Sequence, residues 1–524
     1  MSINKILIVA TFIGLLIGAS SCKKYLDVNT NPNGVKVPTV QTLLPAAELY
    51  VGSAQGVDLE IAGSFFAQYW TQSPGASQYH SLDQYQPGQD AFNGAWTDLY
   101  TAAENFYQLY KLADTQKNKQ YMAISLLMQA YTFQLIADGW GDAPCKQALK
   151  GQYADGHLVN PVYDAQDSIY KVILAYIDSA NVLIDPNATI KPGADDLIYG
   201  GNMSKWQEFS NTLALRVYMR LSEKLPAVAQ AGITALYANS VTATFIGSTA
   251  GDDAFIAYGY NSANNNPLYS EEAGLSYYQN FVASNTCMDS LKSNNDPRLY
   301  LFYEPNTTGA YVGLPQGKYN NIPYTGYSFP TVYVAGDAGN VHATTAYKSG
   351  NAPVNLLTSY ESLFLQAEAV ARGWAPGATS TDDALFYAGI QASFNYYALQ
   401  LNDVYGAPAT TTIYNDYITG ALGTGPGYWT VYPTTGTVQQ KVEFIIVQKW
   451  FAMCGNQGFE AWTEWRRTGY PNWFTYSVSN ATGNNSFPKR LTYPSSESTV
   501  NTSFPGLQPL TAKVWWDAPS ATDH

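Results

Sequence analysis

Apolar residues recur at helical spacing along most of this chain, and the segments that carry them come as neighbouring pairs. A stripe repeating every three to four residues is buried by helices and not by strands, so this pattern limits the fold more than any single motif. The stripes run over 46–68, 96–112 and 121–136. They continue over 164–184, where Ile169, Ile173, Tyr176, Ala180, Leu183 and Ile184 share one face. Another covers 206–221, with Asn202 or Ser204 placed to cap its start. A second series follows at 360–371, 384–399, 442–453 and 459–467. Asp382 and Asp383 stand where acidic side chains favour a helix N-terminus. The run Asp-Gly-Trp-Gly-Asp-Ala-Pro at 138–144 reads as the turn ending the 121–136 helix. Residues 225–350 and 402–438 differ: they are rich in Gly, Asn, Tyr and Thr and have few periodic runs. They predict long irregular loops with some short strands. The expected fold is mostly α, with tetratricopeptide-type helical hairpins of no fixed sequence period supporting large irregular loops and a few short strands.

The N-terminus predicts export. Lys5 precedes an apolar run from Ile6 to Gly18, and Ala19, Ser20 and Ser21 lead directly into Cys22. This is the order of a secretory signal, and the apolar run is too short for a spanning helix. A small-residue step that ends on cysteine is the lipobox arrangement of bacterial lipoproteins, with Ala19 at the usual leucine position. The expectation is a signal peptide over 1–21, lipidation of Cys22 with palmitate among its chains, a polar tether over 22–40 and a single α domain over 41–524. Two or more acyl chains on Cys22 would hold the protein stably at a membrane.

Composition narrows the partners. Charged residues make up 13% of the chain, net charge is −13 and the pI is about 4.7. Nucleic acid is excluded as a partner, because phosphate binding needs clustered Lys and Arg and no basic run is longer than the pairs Lys23–Lys24, Arg466–Arg467 and Lys489–Arg490. The 42 Tyr and 12 Trp exceed what a core needs, and such amphipathic rings suit surfaces that stack on sugars or peptides. Cys145, Cys287 and Cys454 are far apart in sequence, which allows one disulfide at most and favours three separate thiols. Neither H-E-x-x-H nor G-x-S-x-G occurs, and only four His are present. The acid pairs Asp195–Asp196, Glu271–Glu272 and Asp382–Asp383 are chain neighbours, not the facing carboxylates of a glycosidase. Gly423–Gly427 contains Pro426 and lacks the strand–helix context of a nucleotide loop. No catalytic residue, metal site or cofactor is expected. A secreted glycoside hydrolase and a purely structural surface protein are the rival readings.

Several segments, in order from end to end, resemble one family. They are Cys22-Lys-Lys-Tyr-Leu-Asp-Val-Asn-Thr-Asn-Pro-Asn33, Trp140-Gly-Asp-Ala-Pro144, Tyr199-Gly-Gly-Asn202 with Lys205-Trp206, and Asn211-Thr-Leu-Ala-Leu-Arg216 with Arg220. Asn295-Asp-Pro-Arg-Leu299, Tyr311-Val-Gly-Leu-Pro-Gln-Gly317, Tyr360-Glu361 and Phe364-Leu-Gln-Ala-Glu-Ala369 follow. Gln448-Lys-Trp450, Glu460-Ala-Trp462 and Arg466-Arg-Thr-Gly-Tyr-Pro471 close the set. Together they resemble the SusD-like (SusD/RagB) nutrient-binding outer-membrane lipoproteins of the Bacteroidetes. The resemblance implies a location on the outer face of the outer membrane. It implies a SusC-like TonB-dependent transporter as partner, with the lipoprotein as its lid. The ligands implied are oligosaccharides, with peptides or other nutrients as the alternative.

Most of the motif residues read as architecture. Arg298 after Asp296-Pro297 predicts a buried ion pair or a capped turn, with ligand binding as the alternative, and Arg216 and Glu368 on helix faces beside small apolar neighbours predict a structural salt bridge. Arg466–Arg467 sit where a helix C-terminus favours positive charge. Ligand contacts are expected instead from aromatics in breaker-rich stretches. The first stretch gives Trp70, Tyr79 and Tyr85; the second, over 311–333, gives Tyr311, Tyr319 and Tyr324, with Tyr327 and Tyr333 nearby. Stacking would supply affinity and amides would direct hydroxyl groups, while about half of such rings pack loops onto helices.

Overall fold

The computed structural model describes residues 38–238, 244–247, 251–259, 263–274, 280–331, 349–406, 410–423, 425–481 and 486–518. The signal segment, Cys22 and Tyr333 lie outside the described residues. The fold below is that of the unit Val40–His524. α1 (Val40–Gly56) and α2 (Asp58–Phe66) precede β1 (Trp70–Gln72) and the single turn α3 (His80–Asp83). The long helices α4 (Asn93–Thr115) and α5 (Lys119–Trp140) lead to α6 (Gln166–Leu183), α7 (Met203–Arg220) and α8 (Pro226–Ala238). β2 (Ala254–Ile256), α9 (Pro267–Gly274), β3 (Phe281–Ala283), α10 (Asn285–Ser293), α11 (Leu299–Phe302) and β4 (Val354–Leu357) follow. The C-terminal part holds α12 (Ser359–Ala371), α13 (Asp382–Tyr396), α14 (Ala398–Tyr405), α15 (Thr410–Thr419), α16 (Val438–Ala452), α17 (Gly458–Thr468) and α18 (Ser495–Val500).

The mostly α fold expected is the fold found. Sequence neighbours pack as hairpins, α4 on α5, α5 on α6 and α12 on α13, while α1 lies along α4 and α2 against α17. The strands form two short antiparallel pairs, with Trp70 opposite Ala283 in β1–β3 and Ile256 opposite Val354 in β2–β4. α5 is enclosed from Gln120 to Trp140, as a helix at the centre of a bundle must be. Capping follows the sequence signals: the Asn202 side chain accepts from the Ser204 and Lys205 amides, and Thr381 caps α13 ahead of Asp382 and Asp383.

Four expectations need correction. The 46–68 helix is two helices; it starts at Val40 and breaks at Val57. α2 presses so closely on α17 that a Cβ on Gly63 would lie 2.1 Å from the Phe459 nitrogen, so only glycine fits. α5 runs through the expected turn to Trp140 and stops at Gly141, whose φ is 84°. Tertiary partners hold that last turn: Asp138 accepts from the Trp516 indole at 2.8 Å, and the Trp140 indole donates to the Thr492 carbonyl at 2.8 Å. The 225–350 stretch contains α8 to α11, and 402–438 contains the end of α14 and all of α15. These helices bury only sparse stripes, such as Ala229, Ile233 and Tyr237 in α8 or Ile413 and Tyr417 in α15, so their periodicity is faint in the sequence. Finally, the thiols are not all separate: Cys287 and Cys454 are free but lie 3.9 Å apart, while Cys145 is buried elsewhere.

A buried ionic network joins the helices. Arg467 contacts Glu368 and Glu464 at 2.7 Å each. Arg220 contacts Glu460 at 2.7 Å and Asp138 at 3.3 Å, and also reaches Glu464. Lys449 lies 3.2 Å from Glu464, Arg372 2.8 Å from Glu368, and Arg216 3.5 Å from Glu361. Burial by itself raises the Glu464 carboxyl, but Arg467, Lys449 and Arg220 outweigh it and hold the group well below the usual carboxylate range. The architectural roles expected of Arg216 and Glu368 are thus the ones observed. Arg466 and Arg467 are both fully enclosed, and Arg466 donates to the Asp138 and Lys489 carbonyls at 2.7 and 3.0 Å. Arg298, as expected, makes a buried pair with Asp296 at 2.6 Å and also reaches Ser393 and Gln448 at 3.0 Å. Removing one partner of such a network leaves an uncompensated buried charge. Arg467→Ala should therefore lower the unfolding free energy by about 3–5 kcal/mol in a urea titration. Arg467→Lys should recover only part of it, because an ammonium cannot make both bidentate contacts.

Candidate functional site

The chain leaves α2 through Gln68, held at φ 58°, and enters β1. Gln72 then staples the following loop. Its amide nitrogen donates to the Ser73 and Ala76 carbonyls at 2.9 Å and to the Asn280 carbonyl at 3.0 Å, and its oxygen accepts the Tyr79 amide at 2.6 Å. Asp83 accepts from Thr71 Oγ1 at 2.6 Å and from the Gln72 and Gly317 amides at 2.9 and 3.2 Å. Burial nevertheless pushes the Asp83 carboxyl up to about 6. Gln316 donates to the Phe65 and Trp70 carbonyls at 3.1 and 3.0 Å. These buried polar contacts bring the two aromatic stretches picked from the sequence together. His80 stacks on Tyr319 with ring centroids 4.1 Å apart, and a Cβ on Gly75 would lie 3.0 Å from the Tyr324 ring.

The six candidate rings then divide. Trp70, Tyr85 and Tyr319 are 0%, 4% and 3% exposed, so they present no face to a ligand. Trp70 stacks on Phe281 at 4.3 Å, Tyr85 packs on Phe66 at 6.3 Å, and the Tyr319 hydroxyl accepts from Gln84 at 2.8 Å. In a stretch of small polar residues, large rings are the apolar groups that can anchor a loop, and these three do so. Tyr79 and Tyr311 are half-buried, and Tyr324 is 38% exposed. Tyr311 meets Tyr300 edge-on at 5.0 Å.

Of these rings, Tyr79 lines a cleft of about 560 Å³. Val57, Ile61 and Phe92 give it an apolar floor, and Asp58, Asp90 and Glu271 give it carboxylates. Gln78, Ser81 and Gln89 add neutral polar groups. Burial raises the Asp58 carboxyl, which accepts the Ala95 amide at 2.8 Å. The Tyr79 hydroxyl donates to Glu272 at 2.7 Å, and Asn280 donates to the same carboxylate at 2.8 Å. Burial still pushes Glu272 up to about 7. Among the described residues, no group of three or more His, Cys, Asp and Glu is placed to hold a metal ion. An apolar floor beside a ring, rimmed by acceptors and amides, suits a hydroxyl-rich ligand. Asp58, Asp90 and Gln89 were not legible as site residues, since helix-end acids and loop amides are ordinary at those positions. Glu271 stood out in the sequence only as half of an acid pair.

Three solved structures place this fold. A SusD homolog from Bacteroides uniformis has 22% identity and a TM-score of 0.70, covering 91% of this chain and 99% of its own. A SusD-like protein from Bacteroides thetaiotaomicron has 22% identity and a TM-score of 0.69, with the same coverage of 91% and 99%. A chitin-binding SusD homolog from Flavobacterium johnsoniae has 21% identity and a TM-score of 0.69, again over 91% and 99%. No curated protein sequence matches the chain. A family model does, over residues 32–494, and its description is starch binding in association with the outer membrane. The chain belongs to this SusD-like family.

Two outcomes follow from the geometry. Trp70→Ala should destabilise the fold by about 3–5 kcal/mol in denaturant titration, as the loss of an enclosed indole does. Glu272 is neutral more readily in the folded chain than in the unfolded one. Its favourable contribution is therefore complete below about its ordinary 4.5 and is lost as pH rises through about 7. Thermal midpoints should fall across that window, and Glu272→Gln, which keeps the neutral shape, should flatten the slope.

Proposed function

We propose that this protein is a cell-surface binder that captures oligosaccharides in the Tyr79 cleft without cleaving them. The observation that carries this is the cleft itself, about 560 Å³ with the Tyr79 ring, an apolar floor that includes Phe92, and a rim of amides and carboxylates. The starch-binding description of the family and the chitin-binding relative from Flavobacterium johnsoniae support the ligand class. Tyr324 and Tyr311, exposed and half-buried respectively, extend the same loop-rich face. In this scheme Cys22 carries the acyl chains, residues 22–39 ahead of α1 act as a leash, and the body closes over a SusC-like TonB-dependent transporter as its lid. One observation favours a second reading: Asp58, Asp90 and Glu271 would pair with an amino group, so peptides are the alternative cargo.

Titration calorimetry with maltohexaose, chitohexaose and a tetra-alanine peptide separates these ligands. Tyr79→Ala should weaken saccharide binding at the cleft about tenfold, equivalent to about 1.4 kcal/mol. Release of shorter products by the protein alone would rule out the binding-only role. Mild detergent extracts should yield the protein with a large β-barrel, and recovery of a free monomer would count against the lid. Labelling with an alkyne palmitate analogue should disappear in Cys22→Ala.

A further inference from the structure

α10 carries different contacts on its two sides. Lys292 reaches the Tyr311 carbonyl, whereas Ser290 accepts from the Trp473 indole at 2.9 Å. Residues two apart on a helix point nearly opposite ways, so Trp473 lies across α10 from Tyr311. On the Trp473 side is an open cavity of about 450 Å³. Trp429 and Trp473 form one wall, with ring centroids 5.2 Å apart and planes inclined by 31°. Asn285, Asp289 and Ser293 of α10 line the other, each one helical turn from the next, and Thr475 adds a hydroxyl.

We propose that this shelf is a second saccharide site, taking a neutral pyranose ring on Trp429 and Trp473 with its hydroxyl edge toward α10. The rings are fixed before any ligand arrives. Ser290 orients Trp473, and the Trp429 amide donates to Asn294 Oδ1 at 3.0 Å. Trp429 also packs on Phe444 at 4.9 Å, and Trp473 meets Trp450 edge-on at 6.3 Å. Stacking on fixed rings loses little side-chain freedom. The Asn285 Oδ1 atom is enclosed and has no hydrogen-bond partner among the described residues. Asn285 as a whole is half-buried where it lines the shelf, and a turn of its amide toward the cavity would give that acceptor a ligand hydroxyl as donor. Among the described residues lining the shelf Asp289 is the one that is charged, so they do not select a strongly ionic ligand. An apolar helix seated on the shelf would strand the amide, carboxylate and hydroxyls, whereas a sugar presents an apolar ring face and a polar edge. Tyr428, 68% exposed and 4.7 Å from Trp429, lengthens the aromatic rim for a following residue of a longer chain.

The shelf goes beyond the Tyr79 cleft, and the two are tested apart. Maltohexaose and chitohexaose are titrated into the mature protein, with tryptophan fluorescence and calorimetry read together. Ser293→Arg places a long side chain across the shelf from an exposed position, and Trp429→Ala removes one ring. Each should abolish the fluorescence change and one class of sites, lowering shelf affinity at least about tenfold, while Tyr79→Ala leaves the fluorescence change in place. If Trp429→Ala does not fold, Ser293→Arg decides alone. A fluorescence change and stoichiometry untouched by Ser293→Arg would overturn the shelf while leaving the cleft standing. Quenching by tetra-alanine and by neither saccharide would overturn the ligand class.

Discussion

Five helices meet at charges that water does not reach. Arg467 and Arg220 share Glu464, Arg467 also holds Glu368, and Arg220 also holds Glu460 and Asp138. With Lys449, 3.2 Å from Glu464, these side chains come from α5, α7, α12, α16 and α17, so one connected set of ion pairs spans both halves of the helical body. Such a set gives little net stability over an apolar equivalent, yet any wrong register would strand a charge. We read it as a device that specifies one arrangement of helices. Arg298 repeats the device on a smaller scale, tying the Asn295–Leu299 turn to α13 and α16 through Ser393 and Gln448.

The loop-rich face depends on that body through neutral polar groups instead. Gln72, Gln316 and Asp83 are buried, and each satisfies backbone groups from more than one segment. An irregular loop cannot pair its own amides and carbonyls as a helix does, so enclosed side chains must do it. Trp70, Tyr85 and Tyr319 complete the attachment by packing. Tyr79 is left half-buried at the cleft, and Tyr324, beside Gly75, is the more exposed ring. The Tyr79 cleft and the Trp429–Trp473 shelf both combine ring faces with amides and hydroxyls, the arrangement expected where neutral, hydroxyl-rich ligands are held by stacking and hydrogen bonds.

Particular residues show where the sequence was informative. Asn202 acts locally, within a turn of its own position, and its capping role was readable, as was the placing of Asp382 and Asp383 in the first turn of α13. The pairing of Arg298 with Asp296 is a two-residue relationship and was readable too. The helices α8, α10 and α15 were not, because their buried stripes are short and interrupted by small polar residues. The exposure of a ring was least readable of all. Trp70 and Tyr79 stand nine positions apart in one breaker-rich stretch and both meet Phe281, more than two hundred residues away, yet the first is enclosed and the second half-buried.

By itself the sequence determined the helical class, through periodicity, and membership of the SusD-like family, through ordered motifs along the chain. It also marked Arg216 as architectural, since a charge amid small apolar neighbours on a helix face has to be paired, but it did not single out Arg220 or the pairing of Arg467. Only the tertiary structure decided which carboxylates pair with which arginines and which rings remain open. It alone assembled a cleft from residues 57–62, 78–92 and 271, and a shelf from 285–293, 429 and 473. The physical reason is range: helix stripes and caps are set by residues within a turn or two, whereas exposure and pocket shape depend on segments brought together from hundreds of positions apart.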